Sequence, residues 1–186
     1  MLSLKEKYNK DAAPAMMKNF GYKNAMAVPK IEKVAINSGF GKMVSGKTSD
    51  EQKKMQAAII EDLSAICGQR PVLSQAKKSI AGFKLRQGTP VGACVTLRGQ
   101  KMYDFLDKLI NVALPRSHDF QGINPKSFDK SGNMTVAIRE HTVFPEIAIE
   151  KTKFIFGLEI TIVLKTKNQQ EGLDFLKTMG FPISSR

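Results

Sequence analysis

The chain has 186 residues, 42% of them hydrophobic, which suits one domain with a buried core and excludes wholesale disorder. A formal net charge of +12 and a pI of about 9.7 point first to nucleic acid and second to an anionic membrane. Two cysteines, Cys67 and Cys94, with no CxxC pair exclude a thiol metal framework or a disulfide scaffold and read as free thiols in a reducing cytoplasm.

The N-terminal stretch MLSLKEKYNKDAAP has no apolar h-region and reads as neither signal nor transit peptide. Residues 3–20 read as helix, with Gly21 the stop and Asp11 a cap for the second half. Pro14 suits a first turn, which splits the stretch into two short pieces. Lys30 to Ser38 reads as a strand, and Asp50 to Cys67 as an amphipathic helix with Met55, Ile59, Leu63 and Ile66 on one face and Gly68 closing it. Val72 to Ala76 and Val91 to Arg98 are strands. Gln100 to Leu114 is the strongest helix, with Met102, Phe105, Leu106, Leu109, Ile110 and Ala113 at helical spacing and Pro115 ending it. Arg116 to Asn133 is a polar loop, long enough to imply function or mobility. Met134 to Arg139 and Leu158 to Thr166 are strands, and Gln170 to Met179 is a last helix before Gly180. The apolar run near Ile160 to Leu164 is far too short to span a bilayer.

Alternation in the strands implies a mainly antiparallel sheet with helices on one face: an α+β fold, a split βαβ plait of the RRM-like kind with long basic loops, in a single domain over 1–186. Val34, Ile36, Val91, Ala93, Val95 and Leu97 would face the core. Lys33, Asn37, Cys94, Thr96 and Arg98 would face out, beside Thr135, Thr161 and Lys165. That outer face lacks stacking aromatics, which favours contacts to phosphate, 2′-hydroxyl and shallow groove over splayed bases.

Charge is uneven. Residues 1–103 carry 18 basic and 7 acidic side chains, residues 104–186 carry 11 and 10. Leu63 to Tyr103 contains no acid and seven basic residues. Within it, QAKKSIAGFKLRQG (75–88) joins two strands as a basic loop, with Ile80 and Phe83 either anchoring it from beneath or forming an exposed apolar tip. A window of one sign calls for a partner that supplies the opposite charge.

Enzymatic patterns are weaker. GKMVSGKT, Gly41 to Thr48, matches the P-loop spelling between a strand and a helix, so a small NTPase using Lys47 and Thr48 is the alternative reading. Against it, the preceding strand alternates and no later strand supplies the second metal contact. Ser117, His118 and Asp119 are adjacent and make no triad by themselves, while two histidines without repeated spacing make no metal site. The chain is read as non-enzymatic, without cofactor or metal, and membrane binding through its basic first half is a third and weaker reading.

In order along the chain stand VPKIEKVAINSGFG (28–41), GQRP (68–71), KKSIAGFKLRQG (77–88), VTLRG (95–99), PRxxDFxG (115–122), SFDxxGN (127–133), FPEI (144–147) and GLEIT (157–161). Together they resemble the bacterial-type family of ribosomal protein five of the large subunit, the 5S rRNA-binding protein family, over nearly the whole chain. The resemblance implies a cytoplasmic, ribosome-bound structural protein with its open sheet face on 5S rRNA. It further implies links to 23S rRNA in the central protuberance, beside ribosomal protein eighteen of the large subunit. By motif position Asn37, Gln69 and Thr96 would be polar groups on 5S rRNA, with Lys33, Arg70 and Arg98 as phosphate neighbours. Lys77 to Gly88 would be a loop reaching P-site tRNA through Lys77, Lys78, Ser79, Phe83, Lys84 and Arg86. Another surface would meet ribosomal protein thirteen of the small subunit, with the loop Arg116 to Asn133 on the intersubunit side. Between Gly41 and Gly68 the chain is about six residues longer than the family pattern, so an insertion accounts for the P-loop spelling.

Overall fold

The computed structural model describes residues 3–118 and 120–184, the side chain of residue 151 excepted. Five strands form one antiparallel sheet: β1 (Ile31–Gly39), β2 (Val72–Gln75), β3 (Pro90–Leu97), β4 (Met134–Ile138) and β5 (Leu158–Leu164). The spatial order is β2-β3-β1-β5-β4. The long helices are α1 (4–20), α2 (Ser49–Cys67), α3 (99–116) and α4 (Gln169–Met179). β1 runs through α2 to β2, and β3 returns between β2 and β1, which is the expected split βαβ. β5 lies on the other side of β1, and β4 is an added edge strand.

The expected alternation is present except at the start of β3, where Val91, read as core-facing, is only half-buried. Val34, Ile36, Ala93, Val95, Leu97, Met134, Ile138 and the even positions of β5 from Leu158 to Leu164 are buried, while Asn37, Cys94, Thr96 and Ala137 between them are exposed. Chain contacts gather into two compact units, 1–35 with 97–136 and 160–186, and 36–96 with 137–159.

In the first unit, α1 does not break at Pro14. Ser3 opens it with a capping box to Glu6, and Leu4–Lys7 is followed by a wider π-turn, Tyr8–Ala12, before α-helix resumes at Ala13–Phe20. α3 behaves alike: Gly99–Lys108, a π-turn Leu109–Ala113, then Leu114–Arg116 across Pro115. In each case the residue before the proline donates its N–H five residues back, Ala13 to Tyr8 and Leu114 to Leu109. A proline ring collides with the carbonyl four residues earlier in an ordinary α-helix, and one surplus residue in the turn removes that collision. The two expected helix breaks are therefore absent, and Asp11 lies inside the π-turn instead of capping a second piece.

The described residues of segment 116–133 are bound down, not loose. Ile123 donates its N–H to the Pro182 carbonyl (2.8 Å), and its own carbonyl accepts the Ser184 N–H (2.9 Å). Asp129 accepts from the N–H groups of Ser131 (2.9 Å) and Asn133 (2.8 Å) and from Asn133 Nδ2 (2.8 Å), and Asn133 Oδ1 accepts from Leu164 N–H (2.9 Å). Gly132, at φ +84°, packs directly on Gly172 of α4, where a Cβ on Gly172 would overlap the Gly132 backbone. Ile123 and Phe128 are buried. Polar composition concealed this because most of the ties are to backbone groups.

In the second unit, α2 is capped by Thr48 and buries Met55, Ile59, Leu63 and Ile66, each burial contributing roughly 1.5–3 kcal/mol. Gly68 closes it in the left-handed conformation. β2 and β3 pair antiparallel, Val72 with Cys94 and Ser74 with Gly92, with an irregularity between Ser74 and Gln75. The segment after β4 buries His141, Phe144, Ile147 and Phe156. His141 stacks on the Phe156 ring (3.9 Å between centroids, 11° between planes) and accepts the Phe156 N–H at Nδ1 (3.4 Å). Its ring proton is therefore on Nε2, which lies 3.4 Å from Asp62 Oδ2 without reaching hydrogen-bond geometry. Burial pushes the imidazole down in pKa against the opposing pull of Asp62, and burial pushes the Asp62 carboxyl up.

Candidate RNA interface

The exposed positions of β1 and β3 arise from strand alternation alone. Asn37 is exposed and Lys33, four residues earlier on the same side, is half-buried. Phe40 N–H donates to the Val91 carbonyl (2.9 Å), and Asn37 and Cys94, both exposed, sit three residues in from that bond. Thr96 is exposed farther along β3, and exposed Arg98 is the N-cap residue of α3. Gly92, two residues before Cys94 on β3 and outward-facing by strand parity, is buried instead: the Ser38 carbonyl stands 3.1 Å from where its Cβ would be. Gln69 and Arg70 are exposed in the turn after Gly68, with Pro71 buried behind them.

Lys33, Arg70 and Arg98 have no carboxylate partner among the described residues, so their charges are available to an anion. No aromatic ring occupies an exposed position of β1 or β3. Such a surface supplies phosphate contacts and a few fixed hydrogen-bonding groups, and no stacking platform.

The loop Lys77 to Gly88 is a small closed hairpin. Ile80 and Leu85 exchange backbone hydrogen bonds (3.0 and 3.3 Å) around the 3-10 turn Ala81–Phe83, and Lys84 takes the left-handed conformation at φ +49°. Ser79 Oγ accepts the Gln87 N–H (2.9 Å), and Gly88 N–H donates to the Ala76 carbonyl (2.9 Å). Lys77, Lys78, Lys84 and Arg86 are exposed, and so is Phe83, at 63%. Ile80 is 47% exposed, so of the two expected readings the exposed apolar tip is the one observed.

The P-loop spelling does not make a phosphate cradle. Gly41–Val44 is one helical turn, and Gly46 is at φ +76°. Thr48, which would hold a metal in a nucleotide site, instead donates its hydroxyl (2.9 Å) and its N–H (3.0 Å) to Glu51 Oε2. The start of α2 thus carries its own carboxylates, Asp50 and Glu51, where a phosphate would sit, and the Thr48 donors hold the Glu51 carboxyl below its usual range. The Lys47 ammonium lies 5.4 Å over the Phe154 ring.

No group of three or more metal-ligating side chains occurs among the described residues. His118 is exposed, and Asp119 lies outside the described residues. No helix among them is long and apolar enough to cross a membrane. Sequence reasoning missed two arrangements: the His141–Asp62 pair, and a hydrogen bond from Ser45 Oγ to the Phe83 carbonyl (2.5 Å). Neither has a local signature, since the partners are far apart in the chain.

Residues 24–86 match the family described as "Ribosomal protein L5", and residues 90–183 match the C-terminal part of the same ribosomal protein family. The chain belongs to the uL5 family. It is 50% identical over 184 residues to the large ribosomal subunit protein uL5 of Carboxydothermus hydrogenoformans, covering 99% of both chains. The uL5 protein of Halothermothrix orenii is 48% identical over 184 residues, again 99% of each, and that of Geotalea daltonii is 50% identical over 182 residues, 98% of each. uL5 is a structural, non-enzymatic protein of the large ribosomal subunit, so ribosomal RNA is its partner class, translation its process and the bacterial cytoplasm its place. The NTPase reading of Gly41 to Thr48 falls on that membership as well as on the Thr48 geometry.

Proposed function

We propose that this uL5 protein binds 5S rRNA through Lys33, Asn37, Gln69, Arg70, Thr96 and Arg98, and joins it to 23S rRNA in the central protuberance. The loop from Lys77 to Gly88 reaches the P-site tRNA through Lys77, Lys78, Ser79, Phe83, Lys84 and Arg86. Ribosomal protein eighteen of the large subunit lies beside it, and ribosomal protein thirteen of the small subunit meets another surface. The observation that carries this reading is the exposed side of β1 and β3, which is polar, free of aromatics and flanked by cations without carboxylate partners among the described residues. Basic side chains neutralise phosphates and release counterions, while Asn37, Gln69 and Thr96 set register.

The test is binding to 5S rRNA against a scrambled RNA of equal length at matched salt, with thiol footprinting alongside. Preferential 5S binding that shields exposed Cys94 from alkylation is expected, with buried Cys67 unreactive throughout. Equal affinity for both RNAs, or full Cys94 reactivity in a saturated complex, would refute the assignment of the face.

A further inference from the structure

The turn Gly41–Thr48 is held from several directions. Gly41 lies against Val91, its Cβ position 3.5 Å from the Val91 Cβ. From α2, Gln52 Nε2 donates to the carbonyls of Val44 (3.2 Å) and Lys47 (3.0 Å). Lys47 sits over Phe154, and Val44 is fully buried. A glycine-rich turn used only as a spacer needs none of these ties. What the fixed turn presents is Ser45, whose hydroxyl donates to the carbonyl of Phe83 at the tip of the 77–88 loop.

That loop has little else to hold it. From Lys77 to Lys84 every residue is exposed, and its hydrogen bonds to Ala76, Ser79, Ile80 and Ala81 are internal or at its base. The Phe83 carbonyl is also the one just before left-handed Lys84, so holding it restrains the peptide plane from which the Phe83 and Lys84 side chains depart. A loop that must be ordered to bind loses affinity in proportion to the entropy of ordering it, and a brace present in the free protein removes part of that loss.

We propose that the turn Gly41–Thr48 is a brace for the 77–88 loop, with Ser45 the positioning residue that pre-orders the loop tip for RNA. The affinity part rests on the reading of this loop as a tRNA contact; the brace itself does not. The turn thereby acquires a role other than nucleotide binding: it ties the loop tip to the residues that precede α2.

The experiment uses the full-length protein and its Ser45→Ala and Ser45→Thr variants. Hydrogen exchange of the free proteins reads the brace, and binding of purified tRNA at low salt reads its consequence. Both are repeated with Lys77, Lys78, Lys84 and Arg86 all replaced by Ala. Ser45→Ala should speed exchange of the Ile80, Lys84 and Leu85 amides about 3- to 10-fold, leave the α2 amides unchanged, and weaken tRNA binding by about the same factor. Ser45→Thr should restore both, and in the charge-depleted loop Ser45→Ala should change tRNA binding no further. Unchanged exchange at the tip in Ser45→Ala overturns the brace. Faster exchange with unchanged tRNA affinity, while the charge-depleted loop binds weakly, overturns the positioning role. If the charge-depleted loop binds tRNA like the parent, the tRNA assignment fails, and the brace is judged by exchange alone.

Discussion

Replacing His141 by Asn separates a buried neutral imidazole from ordinary acid destabilisation. The imidazole is fully buried, stacked on Phe156, and accepts a backbone N–H at Nδ1, so protonation requires charging a group that water cannot reach. Its folded-state pKa lies below the ordinary histidine value. The unfolded chain therefore takes up a proton as pH falls through about 6.5 while the folded protein does not. The stability His141 confers is fully present above that pH and is lost as pH falls toward the lowered folded-state value, at up to about 1.4 kcal/mol per pH unit for one proton. Asp62 acts in the opposite sense: its raised carboxyl favours the fold as pH falls toward its ordinary acidic range. Asn at 141 retains an acceptor for the Phe156 N–H and cannot be protonated. It should lower stability at pH 7.5 by about 2–4 kcal/mol through the missing ring and the space left behind. The informative quantity is the slope. Urea unfolding between about pH 7.5 and 5.5, a window that brackets the ordinary histidine value, should show a parent curve that falls with acid. The Asn variant should fall less steeply, by as much as one proton. Parallel curves would show that His141 titrates normally in the folded protein and would refute the argument. Asp62→Asn should extend the parent's fall to lower pH, because it removes the charge that favours the imidazolium.

Three further outcomes are expected. Asn37→Ala and Thr96→Ala should each weaken 5S rRNA binding by about 1–3 kcal/mol in a filter-binding assay if their side chains become buried and partnered in the complex, with little change in thermal stability because both are exposed in the free protein. Removing the cations of the 77–88 loop should flatten the salt dependence of tRNA binding, by roughly 0.7–0.9 in the log–log slope for each phosphate no longer neutralised. Gly172→Ala should destabilise the fold by about 3 kcal/mol or more in chemical denaturation, since its Cβ would overlap the Gly132 carbonyl and come within 2.8 Å of the Gly132 Cα.

Much of the architecture was legible because one-sided burial writes itself into sequence at short range. The alternation of β5 and of β3 from Ala93 onward, and the 55–59–63–66 stripe of α2, each lie within a single element, and the structure places them as read; Val91 and Gly92 at the start of β3 depart from it. The prolines misled. Pro14 and Pro115 break ideal α-helices, and nothing local announces that a π-turn will carry the helix past them. Segment 116–133 read as a free loop because its anchors, Pro182, Ser184 and Gly172, are distant in the chain. The P-loop spelling shows the converse. Letters at the right spacing imply phosphate binding only if the amides point outward, and here Glu51 has already taken the Thr48 donors. On the exposed side of the sheet, strand parity selected Asn37 and Thr96 from sequence, whereas the Ser45–Phe83 bond joins residues 38 positions apart and left no trace in any window.

The two proline-bearing helices make a proline and a surplus residue into a linked pair of characters. A lineage that lost one residue from 8–12 while keeping Pro14 would press the ring back against a carbonyl. One that lost Pro14 while keeping the extra residue would retain a wide turn with nothing left to justify it. Single-residue gaps in these helices should therefore appear together with the disappearance of the proline that follows, and the same holds for 109–113 with Pro115.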